Sequence, residues 1–148
     1  MTKKIDLSVI TTTKGMVACL SLELQKNKSS LTFGPSIGLT HSRNNNIYGI
    51  NLEYHFFPNG YNTNKFNFSF LVNLQYFHFK DQNFSLLTNI YQASIGQGFQ
   101  YKFSRKVCFF QAWSLGILIE SKSNNFAVDR MNEVFGAGSI NFGVSYGI

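Results

Sequence analysis

With 148 residues and a mass of 16.8 kDa, the chain has length for one domain with a full core and not for two large ones, so residues 1–148 are expected to form a single domain. Charged residues make up 14%, against roughly 25% in ordinary soluble domains, while aromatics reach 16% with 16 Phe and 7 Tyr, a balance that sets aside a typical cytosolic enzyme. The net charge of +6 is scattered through predicted turns without the aromatic interleaving of a base-stacking surface, so no nucleic acid partner is expected.

Period-two alternation dominates from the first residues onward and predicts strands near 4–13, 16–26, 30–42, 46–57, 65–80, 84–103, 105–122 and 133–148. The first of these, with three consecutive threonines and no aromatics, would also suit an extended tail. In the third, Leu31, Phe33, Pro35, Ile37 and Leu39 share one face, and Thr32, Gly34, Ser36, Gly38 and Thr40 the other. The fourth sets Tyr48, Ile50, Leu52, Tyr54 and Phe56 against Gly49, Asn51, Glu53 and His55, and the fifth sets Phe66, Phe68, Phe70, Val72, Leu74 and Tyr76 against Asn67, Ser69, Leu71, Asn73 and Gln75. The last strand repeats the split, with Ile140, Phe142, Val144 and Tyr146 opposing Ser139, Asn141, Gly143 and Ser145. Turn chemistry punctuates the series at Lys14-Gly15, Asn27 to Ser30, Asn44 to Asn46, Pro58-Asn59-Gly60, Asp81 to Asn83, Ser104-Arg105 and Ser123 to Asn125.

Eight such strands suit a small closed barrel, and the composition of the two faces decides which side meets water. A soluble barrel points bulky apolar residues inward and keeps Lys and Glu outside. Here the polar face is built of Gly, Ser, Thr, Asn and Gln, which suits a crowded lumen, so the bulky face is expected to point into lipid with Tyr and Trp113 available for interfacial girdles. No apolar run approaches the ~18 to 20 residues of a membrane helix, so the crossing must be made by strands. Residues 1–25 contain no visible export signal, because Asp6, Thr11 to Thr13 and Lys14 interrupt any apolar stretch, and outer-membrane placement therefore needs a leader ahead of this chain. The soluble alternative is a lipocalin-like ligand-binding barrel, which needs no signal but must hydrate a polar face with very few charges.

The strand patterns Leu31-Thr-Phe-Gly-Pro-Ser-Ile-Gly-Leu39, Ile47-Tyr-Gly-Ile-Asn-Leu-Glu-Tyr-His-Phe-Phe-Pro58, Ile95-Gly-Gln-Gly-Phe-Gln-Tyr-Lys-Phe103 and Ile140-Asn-Phe-Gly-Val-Ser-Tyr-Gly-Ile148 resemble the small outer-membrane β-barrel proteins of Bacteroidota, OmpA- or OmpX-like in architecture. The resemblance covers most of the chain. It implies an all-β, eight-stranded antiparallel up-and-down transmembrane barrel in the outer membrane of a Gram-negative envelope, and its motifs are those of barrel construction, without a catalytic signature.

Placing the N-terminus in the periplasm puts the longest connection, Ser121 to Asn132, outside. The same placement gathers Asp6, Glu23, Glu53, His55 and Lys102 on the inward face near the periplasmic strand ends, where buried charges need partners. A lumenal ion-pair network is the expected role, with a proton or ion gate as the functional alternative, and neutralising Lys102 is expected to destabilise the barrel. His41-Ser42 invites comparison with lipid-modifying hydrolases of the outer membrane, but adjacent strand residues point to opposite faces and no acid stands nearby. Cys19 and Cys108 have no metal-type spacing to His41, His55 or His78, and their places at opposite strand ends preclude a disulfide. No catalytic, cofactor or metal site is expected. By elimination the chain is expected to serve as a non-catalytic accessory or structural subunit, with outer-membrane lipid and a larger outer-membrane protein or complex as partners. Gly136 and Gly138, on the outward parity of the last strand, are the candidate contact on its wall; the plainer alternative is a bend or thin spot.

Overall fold

The computed structural model describes residues 2–39, 47–60, 65–81, 86–104, 106–124 and 130–148. Among them the alternating segments form eight strands: β1 (Thr2–Thr12), β2 (Gly15–Lys26), β3 (Ser29–Gly38), β4 (Ile47–Phe56), β5 (Phe66–Asp81), β6 (Leu86–Lys102), β7 (Val107–Asn124) and β8 (Arg130–Gly147). Each pairs antiparallel with its neighbour in sequence, and β1 pairs with β8 to close the barrel. The threonine-rich first segment is therefore a full strand; without it the wall would keep two open edges, a template for aggregation.

The register fixes the shape. Following paired residues once round the wall, from Thr2 through Gln25, Ser30, His55, Leu71, Gly96, Ser114 and Ser139, returns to β1 at Thr12, a stagger of ten residues. With ~3.3 Å per residue and ~4.8 Å between strands, this stagger tilts the strands by roughly 40° from the barrel axis. At the end that holds both termini, β1 begins on this row, β5 begins five residues below it and β8 ends eight residues beyond it, so the tilt is offset and that rim is level. At the far end nothing offsets the tilt. The strands of 10 to 12 residues, β1 to β4, climb about 25 Å, whereas those of 16 to 18 residues, β5 to β8, stand higher as a half-wall.

The longest connection also moves. Residues 121–123 and 130–132 belong to the β7–β8 ladder, which runs to Ser123↔Arg130, and the longest stretch between successive strands is 57–65. Alternation fades toward the far ends of β7 and β8 because the described residues 121–124 and 130–132 stand beyond the apolar layer and no longer need an apolar face.

The two faces separate cleanly. Leu7, Leu20, Ile37, Ile50, Ile95, Leu115 and Ile117 are exposed on the outside, while Asp6, Ser21, Glu23, Thr32, Asn51, Asn73, Gln92 and Ser145 are buried within. This is the reverse of a soluble ligand-binding barrel and overturns the lipocalin-like alternative. Inward glycines are set by close packing: a Cβ on Gly96 or Gly116 would stand 2.0 Å from a carbonyl oxygen of the adjacent strand.

The lumen is not uniformly polar, however. Toward the far end it is filled by Ile10, Val17, Cys19, Phe77, Ile90, Leu118 and Ala137, with Ile47 and Phe79 packed against them. Below this plug a chain of hydroxyls, Ser94 to Ser114 at 2.9 Å and Ser114 to Ser139 at 2.6 Å, ties β6, β7 and β8 together.

Candidate functional site

The polar half of the lumen is organised around one carboxylate. Glu53 on β4 is only 2% exposed. Its Oε1 accepts hydrogen bonds from the side-chain amides of Asn51 at 3.1 Å, Asn73 at 2.9 Å and Asn141 at 3.0 Å, and its Oε2 lies 3.1 Å from His55 Nε2. The other ring nitrogen of His55 is 3.1 Å from Ser69 Oγ, and its ring stacks on Phe57 at 6.1 Å. Period two places Asn51, Glu53 and His55 on one face of β4, the β4–β5 register sets Asn73 opposite Glu53, and Asn141 reaches across the lumen from β8. The clamp therefore ties β4 to its neighbour β5 along the wall and to β8 through the barrel interior.

Asp6, Glu23, Glu53 and His55 line a common cavity with Asn51 and Asn141, and the space left between them is about that of a single water molecule. The structure thus gathers four of the five charged residues expected there. Lys102 does not line this cavity; it ends β6 opposite Cys108 and is half-buried. Lys4, on β1, reaches the acids, with its Nζ 3.7 Å from Glu23 Oε2. Lys4 and the three asparagines had no mark in the sequence beyond inward parity. Cys19 and Cys108 are free thiols. His41 and Ser42 lie outside the described residues, and among the described residues no group of His, Cys, Asp or Glu is arranged to hold a metal ion.

A second charged cluster sits at the far end. Lys14, in the β1–β2 turn, donates to Glu120 on β7 at 2.5 Å and lies 4.7 Å from the centre of the Phe135 ring on β8, while Lys122 bridges Glu120 at 3.5 Å and Glu133 at 2.7 Å. The pairs Glu120↔Glu133 and Lys122↔Met131 stand beyond Ser139↔Thr12, where β1 ends, so the cluster belongs to the projecting half-wall and lies clear of the apolar layer. Their mutual hydrogen bond holds the Lys122 ammonium above its usual range and the Glu133 carboxyl below its own.

On the outer wall, Gly136 and Gly138 face outward. Nothing lies within 4 Å of a Cβ built on Gly136, and one on Gly138 meets only Leu115 Cδ2 at 3.5 Å and the Ser114 carbonyl oxygen at 3.9 Å, so packing within the barrel does not demand glycine at Gly136. Along the same row Ile117 pairs with Gly136 on one side and Ala93 on the other. Ala93 floors an apolar hollow of about 440 Å³ rimmed by Ile50, Leu52, Leu74, Tyr76, Tyr91 and Ile119. Ile117 is thus a ridge between two shallow regions of the wall.

A closed antiparallel barrel of eight strands is the architecture shared with solved outer-membrane proteins. The chain has the fold of a small eight-stranded outer-membrane barrel. It is similar to the N-terminal β-barrel domain of Pseudomonas aeruginosa OprF, with a TM-score of 0.63 and 15% identity over 99% of this chain and 97% of that one. It is also similar to a major outer membrane protein from Thermus thermophilus, with a TM-score of 0.56 and 7% identity over 99% of each chain. Neisserial surface protein A gives a TM-score of 0.56 and 11% identity over 99% of this chain and 95% of that one. No protein-family model and no curated protein matches the sequence. Identities this low speak for the fold.

Proposed function

We propose that the protein is an integral outer-membrane β-barrel without catalytic activity, placed with its terminal end toward the periplasm, and that it acts as an accessory subunit of a larger outer-membrane complex. The observation that carries this is the division of its surfaces: an outer wall of exposed apolar side chains round a lumen closed by its own side chains. An interior packed in this way leaves no passage for solutes, so the surfaces able to do work are the wall and the rims. On the wall, the shallow regions beside Ile117, with Ala93 on one side and Gly136 and Gly138 on the other, would let another protein approach the backbone closely, as small residues do in membrane helix contacts. A Bacteroidota source rests on the strand patterns alone.

The test is purification of the tagged protein from a native envelope in mild detergent, followed by the mass of the intact particle. A stoichiometric large partner, lost when Gly136 and Gly138 are both changed to Leu, is the expected result. A lone 16.8 kDa barrel in a micelle would overturn the subunit role and leave the membrane placement standing. Recovery in the soluble fraction would overturn both.

A further inference from the structure

The two ends of the barrel differ in charge. At the terminal end Lys3 on β1, Lys26 and Lys28 at the β2–β3 hairpin, Lys65 ahead of β5 and Lys106 ahead of β7 are all exposed, and none makes an ion pair among the described residues. The described acids lie elsewhere. Asp6, Glu23 and Glu53 are buried in the lumen, Glu120 and Glu133 pair with lysines on the half-wall, and the backbone of Asp81 closes the β5–β6 ladder at the far end. Among the described side chains one rim therefore carries its own counter-charges, and the other is a ring of lysines without a carboxylate side chain beside them, a concentration of positive charge that favours the approach of anions.

Immediately above this ring the outer wall is aromatic. Phe66 packs against Phe99 at 5.6 Å, Tyr101 against Phe103 at 5.0 Å, and the Lys106 ammonium stands 5.8 Å from the centre of the Tyr146 ring. Aromatic side chains at a strand end sit at the headgroup boundary of a bilayer, and lysines just beyond them reach the level of the lipid phosphates. Resting on the membrane placement proposed above, we infer that this rim binds anionic phospholipid headgroups and so enriches them in the lipid shell of the barrel. The distribution favours lipid over an acidic protein. A docked protein covers one side of a barrel, whereas these lysines lie on β1 and at the β2–β3, β4–β5 and β6–β7 connections, all round a rim that the register makes level. A leaflet surrounds the barrel in the same way.

Trp113, the sole tryptophan, faces outward and reports on lipid contact. The barrel is reconstituted into vesicles of phosphatidylcholine mixed with phosphatidylglycerol, with brominated chains carried by one lipid or the other, and quenching of Trp113 is compared. The expected result is a preference for phosphatidylglycerol of about threefold or more at low salt, from roughly one favourable contact per lysine near the surface. It should fall toward parity at 0.5 M salt, where the Debye length shrinks to a few ångströms, and in a variant carrying Lys26→Gln, Lys28→Gln, Lys65→Gln and Lys106→Gln. Parity in the unmodified protein at low salt, with quenching by both lipids, would overturn the headgroup site while leaving membrane placement intact. Parity together with salt-sensitive binding of soluble polyglutamate would overturn it in favour of an acidic protein. Absence of quenching by either lipid would remove the membrane placement on which the inference rests.

Discussion

Glu53 is where a single side chain has most to lose. Three amide donors and a histidine converge on its two oxygens in the buried lumen, so the side-chain NH2 groups of Asn51, Asn73 and Asn141 all depend on this one carboxylate. Truncating one partner of such a group leaves the others buried and unpaired, which typically costs about 3–5 kcal/mol. Glu53→Leu is therefore expected to lower the unfolding free energy of the detergent-folded barrel, read from urea titration, by an amount in that range, and Glu53→Gln, which keeps an oxygen for the asparagines, by clearly less. Equal midpoints for Glu53→Leu and the unmodified protein would show that the clamp does not hold the barrel. Among the lysines the ordering follows burial: Lys4→Met strips Glu23 of its nearby cation and is expected to cost more than Lys102→Met, at the half-buried end of β6. A larger loss for Lys102→Met in the same titration would contradict this assignment.

At the scale of strands, the projecting hairpin of β7 and β8 is braced by Lys14 from the opposite side of the β1–β8 seam. Glu120 is nearly buried between Lys14 and Lys122, so Glu120→Gln should release the β1–β2 turn and speed hydrogen exchange at Gly15 and Met16, an effect worth about 1 kcal/mol that shrinks in high salt. Unchanged exchange there would mean that the brace carries no load. Because Lys122 holds the Glu133 carboxyl below its usual range, the Lys122–Glu133 contribution is complete above the ordinary carboxylate pKa and disappears as pH falls through the lowered folded value, without affecting the hairpin near neutrality. How much of this was legible differs from strand to strand. Alternation in Phe66 to Tyr76 and Leu31 to Gly38 assigns inward and outward residues correctly, because lipid and lumen make opposite demands on successive positions. It fails where both faces are apolar, as from Leu115 to Ile119, so nothing distinguishes Leu118, deep in the plug, from Ile117 on the outer wall. Asn51, Asn73 and Asn141 looked like ordinary lumenal amides. What unites them is the register between β4 and β5 and the width of a barrel with this stagger, and neither is written in any one segment.

For the molecule as a whole, the division of the lumen decides what it can pass. The terminal half is polar and charged, but the Glu53 clamp crosses it from β4 to β8, and the far half is closed by Ile10, Phe77, Ile90 and Leu118. An ion would have to disrupt the clamp and then shed its hydration among hydrocarbon side chains, each step costing several kcal/mol. The intact barrel is thus expected to show no steady ion current in a planar bilayer. Removing the apolar plug tests which half is the seal. Phe77→Ala combined with Leu118→Ala opens a cavity above the serines Ser94, Ser114 and Ser139, at a stability cost of about 3–5 kcal/mol per large side chain, and water entering there would meet hydroxyls instead of hydrocarbon. If the clamp alone is sufficient as a barrier, this variant stays silent while folded. Brief openings that appear only when Glu53→Gln is added would show two seals in series, and a steady current through the unmodified barrel would contradict the sealed lumen on which the assignment of function to wall and rims depends.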